Sequence, residues 1–362
     1  MNQDQHLFYR LPWVDPIDKK PLTPRILQQD PDGRPLYGAL VTQDGKRGYP
    51  IVAGIVMGTP ELAEQHWKWL KLMALELPSG AGNFQPTQTV DSFGFEWKWD
   101  SEPRTDVDLA WRVASRYKLD RSYYAGKLTL DAGSGAGDQS RWLLESKTSG
   151  VVSVDLSEAI DVVKQKLGHH RNWVGIRGDL TRLPLADEIF DFVYCEGVIQ
   201  HTHDSRLAVN ELCRVLRKGG SISATHYGYQ APPGSGLKPI ARRLIDRLFF
   251  HNRRERLSKW DRDKLFLHCG VIARRAHQPI IGPILRKVGY AVYNPRMPTF
   301  KTTWSCTYDA FGTHSYQREI SGEAFRRLFA ESPFGKMKIE FEEGNVLLLH
   351  KMGSATTINQ SS

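Results

Sequence analysis

The sequence predicts an α/β protein built on a doubly wound, mostly parallel sheet, and three features predict it. The first is the stretch from Lys127 to Leu144, KLTLDAGSGAGDQSRWLL. There a β-prone run (Leu128–Leu130) enters a glycine turn at Gly133, Gly135 and Gly137 and leaves as a helix. The second is the regular alternation of short apolar strands and helices that follows, as far as Thr225. The third is that acids stand where strands end: Asp155 after Gly150–Val154, Asp179 after Trp173–Gly178, and Glu196 after Ile189–Cys195. Ligands of such sheets bind outside the carboxyl ends of the strands.

A strand that turns sharply into a helix aims the helix's free N–H groups, and its positive end, at whatever lies above the turn. Glycine permits positive φ there and lets a ligand approach the backbone. The spacing discriminates between ligands. A dinucleotide fingerprint reads G-x-G-x-x-G, and the position that needs its third glycine is Asp138. A carboxylate there repels a pyrophosphate, whereas Asp131 ahead of the loop suits a ligand with an amine and a sulfonium. The bland alternative is a tight turn with no ligand. Asp155, 20 residues beyond Gly135, stands where a nucleoside ribose diol is held by a bidentate hydrogen bond. Its bland alternative, with Ser157, is to cap the next helix.

The pattern D-x-G-x-G-x-G at 131–137 resembles motif I of class I S-adenosylmethionine-dependent methyltransferases. Further segments resemble the family in the same order. Asp179-Leu180-Thr181-Arg182-Leu183-Pro184 is similar to its G-D-x-x-x-L-P segment, and Phe190-Asp191-Phe192-Val193 to its F-D-x-V strand. Arg217-Lys218-Gly219-Gly220 is similar to L-K-P-G-G, with Lys218 in place of proline. The resemblance implies a Rossmann-like seven-stranded sheet with the last strand antiparallel, and S-adenosyl-L-methionine as cofactor. It places Asp131, Gly133, Ser134, Gly135 and Gly137 around the methionine end and Asp155 and Leu156 at the ribose. Asp179 and the Leu180 amide fall at adenine, and Glu196 and Gly197 near the methyl group.

At 362 residues the chain can bury a sizeable core in one domain plus additions, or in two domains. No apolar run approaches the length of a membrane span, and residues 1–13 lack a signal-peptide core, which leads to an expected cytoplasmic location. Cys195, Cys213, Cys269 and Cys306 are widely separated, so neither a disulfide framework nor a metal site is expected. The net charge of +9 is local: residues 237–287 hold 14 Lys/Arg against 4 Asp/Glu, which leaves the rest of the chain at −1. A basic insert on a near-neutral body points to one anion-facing surface and argues against a nucleic-acid-binding protein.

In chain order, residues 1–60 form a small extension with β-like pieces at 37–42 and 48–57. Tyr49-Pro50-Ile51-Val52-Ala53-Gly54-Ile55 resembles the segment that closes Trm112-like domains, here without cysteines. Residues 61–125 read as a helical and aromatic lid. An amphipathic helix over 61–77 contains Trp67 and Trp69 as packing residues. An aromatic segment, Ser92–Trp99, either covers the cofactor or caps the sheet edge, and a helix follows over 106–117. Residues 126–228 and 321–352 make the cofactor-binding domain, closed by a helix at 323–329 and strands at 336–342 and 345–350. Residues 229–320 are a basic helical insertion between strands five and six. Helices are expected at 240–256 and 272–288, with interruptions near Gly270 and Pro279. Residues 308–317 resemble a D-x-x-x-P-x-Y-Q segment of related enzymes, and 355–362 read as a loose tail.

The insertion is the expected acceptor-binding cap. Its arginine pairs, Arg242–Arg243, Arg253–Arg254 and Arg274–Arg275, suit carboxylate or phosphate, or simply form a solvated face. The expected acceptor is therefore an anionic small molecule or glycan, and a peripheral contact with an anionic membrane is a further expectation. Methyl transfer from a sulfonium is an in-line displacement, helped by positioning and by deprotonation of a hydroxyl acceptor. His201 at the rim of strand four is the first candidate base, followed by His226 and Tyr227 at the end of strand five. The alternatives are a methyltransferase acting on RNA or another macromolecule, and an enzyme of this fold that uses the cofactor without an acceptor.

Overall fold

The computed structural model describes residues 6–80, 88–99, 104–226, 257, 260–287, 291–293, 299–311 and 320–353. Two compact units share the chain. The first comprises Met1–Gln85, Pro103–Gly228 and Arg318–Ser362; the second comprises Pro86–Glu102 and Tyr229–Gln317.

The first unit opens with α1 (Leu7–Arg10), four strands, β1 (Leu22–Gln29), β2 (Pro35–Thr42), β3 (Gly48–Val52) and β4 (Ile55–Met57), and two short helices, α2 (Pro60–Gln65) and α3 (Trp67–Leu72). The single helix expected over 61–77 is thus two, parted at His66, whose φ of −111° and ψ of 25° leave the helical region. Trp69 packs on the core and its indole N–H donates to the Gly38 carbonyl at 3.1 Å, whereas Trp67 stands exposed. α4 (Gln88–Trp99) belongs to the second unit. The first resumes with α5 (Asp106–Val113), β5 (Leu128–Ala132), α6 (Asp138–Glu145), β6 (Gly150–Asp155), α7 (Ala159–Leu167), β7 (Trp173–Arg177), β8 (Phe190–Cys195), α8 (Ser205–Val215) and β9 (Leu216–Thr225).

The second unit adds α9 (Arg262–Ala276), α10 (Ile281–Lys287) and α11 (Phe300–Phe311). The chain then closes the first unit with α12 (Gly322–Ala330), β10 (Met337–Glu343) and β11 (Val346–Lys351).

All eleven strands join one sheet, in the order β1-β2-β3-β4-β7-β6-β5-β8-β9-β11-β10. The expectation of seven strands is thereby corrected. β5 to β11 form seven of the strands, and β11 runs antiparallel to β9, with Leu348 opposite Ser223. The extra four arrive through β4, which pairs parallel with β7 from Ile55 opposite Gly175 to Met57 opposite Arg177. Gly175 makes room for this, since a Cβ there would sit 2.6 Å from the Ile55 side chain. Residues 1–60, expected as a separate extension, therefore share the sheet and its core: Leu40, Tyr49 and Ile51 are buried in one cluster with Leu130, Val152 and Ile176. Central strands of this kind are buried on both faces, which is why β6 reads Gly-Val-Val-Ser-Val without alternation.

In the second unit Phe95, Trp99, Phe266, Trp304 and Tyr308 pack into one aromatic cluster. Phe95 and Trp99 therefore sit on a helix and pack within this unit. Gly270, expected as an interruption, lies inside α9. A Cβ there would come within 2.6 Å of the Trp304 ring, so the glycine lets two helices approach and its cost to the helix, about 1 kcal/mol, is offset by that packing. Residues 240–256, 312–317 and 355–362, and with them the expected first insertion helix, most of the 308–317 segment and the tail, lie outside the described residues. Among the described residues no helix is long and apolar enough to cross a membrane.

Candidate functional site

β5, β6, β7 and β8 run parallel, so the residues just beyond Ala132, Asp155, Arg177 and Cys195 share one edge of the sheet. Every residue expected at the cofactor lies at or near that edge.

The loop between β5 and α6 has positive φ at all three glycines, +81° at Gly133, +50° at Gly135 and +80° at Gly137. A Cβ on Gly133 would lie 2.3 Å from a Val198 methyl, and one on Gly137 would lie 2.6 Å from a Val163 methyl. The loop is thus wedged between the segment after β8 and helix α7. The Gly133 and Ser134 N–H groups both donate to the Val154 carbonyl, at 2.8 and 3.0 Å, and the Gly135 N–H donates to Asp155 Oδ2 at 3.0 Å. Ser134 is buried and its hydroxyl has no hydrogen-bond partner within the chain. Asp138, in the first turn of α6, accepts from Lys166 Nζ at 3.2 Å and from the Arg104 N–H at 3.2 Å, so its charge is compensated.

Asp131 is 2% exposed and accepts the Ser140 hydroxyl at 2.5 Å. Ser140 in turn meets Ser153 at 2.7 Å, and Ser153 accepts from the Trp173 indole at 2.8 Å. Burial pushes the Asp131 carboxyl up to about 7; the charges of Asp155 and Glu196 add to this, and the Ser140 hydrogen bond opposes it. Asp155 Oδ1 accepts from the Ser157 N–H at 2.9 Å and the Ser157 hydroxyl at 2.7 Å. Burial raises its carboxyl as well, against those donors and Gly135. Asp155 therefore does cap the following turn, while also bracing the glycine loop. Leu156 is half-buried beside it, and its carbonyl accepts from Arg177 Nε at 3.3 Å.

Asp179 is buried. Its Oδ1 accepts the N–H and hydroxyl of Thr181, at 2.9 and 2.8 Å. Its Oδ2 makes no hydrogen bond; Arg182 Nε and His203 Nδ1 approach it only at 3.5 and 3.8 Å. Leu180 is buried in the core below.

Glu196 is held by two arginines of the expected 106–117 helix, which the structure divides into α5 and a following turn. Arg116, in a single helical turn at Ser115–Tyr117, donates to Glu196 Oε1 at 2.8 Å, and Arg112 on α5 lies 3.5 Å from the same oxygen. The Tyr194 hydroxyl bonds the other oxygen. Burial would raise the Glu196 carboxyl, but the two guanidinium groups outweigh it and hold it below the ordinary range. The spacing of Arg112 and Arg116, four apart, was the available signal.

Beyond Glu196, Gly197 has a φ of +68° and donates to the Thr225 hydroxyl at 2.8 Å. The segment from Gly197 to His203 touches Gly133 through Val198 and reaches toward Asp179 through His203. His201 ends a helical turn in this segment and is half-buried. Its neighbour Gln200, also left out by the sequence reading, is fully buried, and neither polar atom of its amide has a partner within the chain. His226 follows Thr225; it is 4% exposed, packs its ring 4.8 Å from Phe325 and is pushed down from the usual histidine range by burial. Tyr227, Arg242, Arg243, Arg253 and Arg254 lie outside the described residues; Arg274 and Arg275 are exposed on α9.

Known proteins resemble the stretch of chain that contains this edge. Residues 130–224 match the family described as a methyltransferase domain. The chain is 28% identical over 152 residues to a demethylmenaquinone methyltransferase of Corynebacterium urealyticum, covering 42% of this chain and 58% of that protein. It is 35% identical over 102 residues to a malonyl-[acyl-carrier protein] O-methyltransferase of Serratia marcescens, covering 28% of this chain and 38% of that protein. A crystal structure of an S-adenosylmethionine-dependent methyltransferase from Mesorhizobium loti aligns with a TM-score of 0.31 at 25% identity, over 36% of this chain and 61% of that one. The chain thus spans little more than half the length of its demethylmenaquinone methyltransferase relative. Residues 130–224 thus match a methyltransferase domain and lie within an α/β, Rossmann-like sheet.

Proposed function

We propose that this chain transfers a methyl group from S-adenosylmethionine to an anionic small-molecule or glycan acceptor. The observation that carries the reading is the set of polar groups left over at one sheet edge. The buried Asp179 Oδ2, which Arg182 and His203 approach only at ion-pair distance, and the buried Ser134 hydroxyl make no hydrogen bond within the chain, and buried polar groups are seldom left so. Asp179 Oδ2 fits an amino group of adenine, and the Ser134 hydroxyl and glycine-loop amides fit the methionine end. Asp155 Oδ2, which accepts only from the Gly135 N–H, retains a lone-pair site for a ribose hydroxyl. The ionised Glu196, fixed by Arg112 and Arg116, supplies negative charge for an amine or sulfonium.

The cofactor, when bound, supplies an electrophilic methyl group. His201 is the base in this reading, taking the proton of a hydroxyl acceptor as the methyl–oxygen bond forms. His226, kept neutral by burial, and Tyr227 remain the second choices. The acceptor's anionic character rests on the basic composition of residues 237–287. The resemblance of Tyr49–Ile55 to the Trm112-like segment gives the N-terminal strands a structural role, extending the sheet.

Incubation of the protein with S-adenosylmethionine and a panel of anionic sugars and acyl acids tests the reading. S-adenosylhomocysteine formed with a matching mass shift in an acceptor supports it. Methylthioadenosine formed without any acceptor, or turnover confined to RNA, would overturn it.

A further inference from the structure

One face of α9, in the second unit, carries an unusual arrangement of exposed side chains. α9 buries Leu265, Phe266, Cys269, Ile272, Ala273 and Ala276. Its opposite stripe should be wholly polar, because residues three and four apart share a face. That stripe reads Lys264, Leu267, Val271, Arg274 and Arg275, with Leu267 64% and Val271 50% exposed. The apolar exposure continues beyond α9 at Ile280 (88%), Ile281 (40%) and Ile284 (58%).

Exposed apolar side chains scattered singly are ordinary. Of the sixteen large ones among the described residues, seven fall between Leu267 and Phe300. Such a concentration marks an interaction surface. The chemistry of its surroundings selects the partner. Residues 260–287 hold six Lys/Arg against two Asp, and Arg274 and Arg275 stand on the same stripe as Leu267 and Val271. A second copy of the chain would bring the same positive charge against itself. A nucleic acid would satisfy the arginines but leave the isoleucines and leucine in water, for those offer nothing to phosphate or to base edges. A surface that is anionic outside and hydrocarbon beneath satisfies both sets at once.

We propose that α9 and α10 form a membrane-docking face, which seats the second unit on an anionic lipid bilayer with Leu267, Val271, Ile280, Ile281 and Ile284 at the acyl boundary and Arg274 and Arg275 among the headgroups. The proposal does not depend on which acceptor is methylated.

Co-sedimentation of the full chain with vesicles decides it. The protein should partition onto phosphatidylcholine vesicles containing phosphatidylglycerol, much less onto phosphatidylcholine alone, and less as salt rises. The double variant Ile280→Asp/Ile284→Asp should lower the partition coefficient at least about ten-fold. Arg274→Ala/Arg275→Ala should lower it about five-fold per arginine. Thermal melting of each variant checks its fold, and if the aspartate pair unfolds, Ile280→Ser/Ile284→Ser takes its place. Three results would overturn the proposal. They are absence of binding to the mixed vesicles, binding that the isoleucine variants leave unchanged, and a dimer in solution that those variants dissociate.

Discussion

The Gly135 N–H points at the Asp155 carboxylate, 3.0 Å away, so the glycine loop after β5 is held open by the acid at the tip of β6. One side chain therefore shapes the loop and, in the proposed function, grips the ribose. Asp155→Ala should weaken S-adenosylhomocysteine binding about 10- to 100-fold, the worth of a hydrogen bond or two to a charged group. Asp155→Asn, which retains an acceptor, should lose less. Calorimetry checks both, and an unchanged affinity in the alanine variant would remove Asp155 from the site.

Asp131 makes stability and binding depend on pH in opposite directions. Its carboxyl sits at about 7 in the folded chain because of burial, against an ordinary value of about 4 when unfolded. Between those values the folded state holds a proton that the unfolded state has lost. This contribution is therefore fully present below pH of about 4 and is lost as pH rises through about 7. Asp131→Asn should flatten that part of the stability profile in urea titrations. A cationic ligand favours the ionised carboxylate, so cofactor affinity should fall as pH drops below about 7. The same substitution should abolish that fall.

The Arg116–Glu196 pair is largely buried, with side-chain exposures of 9% and 17%. Breaking a buried pair outright costs about 3–5 kcal/mol, but Arg112 still faces the same Glu196 oxygen at 3.5 Å. Arg116→Met should therefore destabilise by less than about 3 kcal/mol, and Arg116→Met/Glu196→Gln should recover part of it. Denaturant unfolding of the set measures the coupling. Equal losses in the single and double variants would show that Arg116 acts by packing alone.

His201 and His226 separate by what they alter. His201→Ala should reduce turnover about 100-fold for a hydroxyl acceptor, as loss of a general base does, while leaving cofactor affinity unchanged. His226→Ala removes a ring packed on Phe325, so its first effect should be on stability. Full turnover in His201→Ala would exclude it as the base.

The parts of this molecule legible in the sequence are those decided locally. Leu128–Leu130, Gly150–Val154 and Ile189–Cys195 are β-prone runs bounded by turn residues, and the structure has strands at all three. The glycine turn is equally local. What escaped depends on residues far apart in the chain. Nothing near Ile55 announces that it pairs with Gly175, so the sheet grew from seven strands to eleven. Gly270 reads as a helix breaker until the Trp304 ring that needs its missing Cβ is placed against it. Arg112 and Arg116 are not singled out by the sequence reading, because their partner Glu196 is 80 residues away from the nearer of them. Gln200 gave no signal at all, standing between an isoleucine and a histidine in a segment with no periodicity.

Gly137 offers the sharpest test of how the loop is built, because two separate penalties meet there. Its φ of +80° costs a residue with a Cβ about 1–2 kcal/mol. The Cβ of alanine would also lie 2.6 Å from a Val163 methyl on α7, a distance that requires something to move. The first penalty is intrinsic to the backbone, whereas the second belongs to a neighbour that can be cut back. Gly137→Ala should therefore destabilise by more than the conformational term alone, and the same change in a Val163→Ala background should cost less. A double-mutant cycle in urea should give a coupling of at least about 0.5 kcal/mol. Cofactor affinity should recover in parallel, since α7 and the loop regain their spacing. If Gly137→Ala cost the same in both backgrounds, the backbone angle alone would account for the glycine, and the wedge between the loop and α7 would have no energetic role.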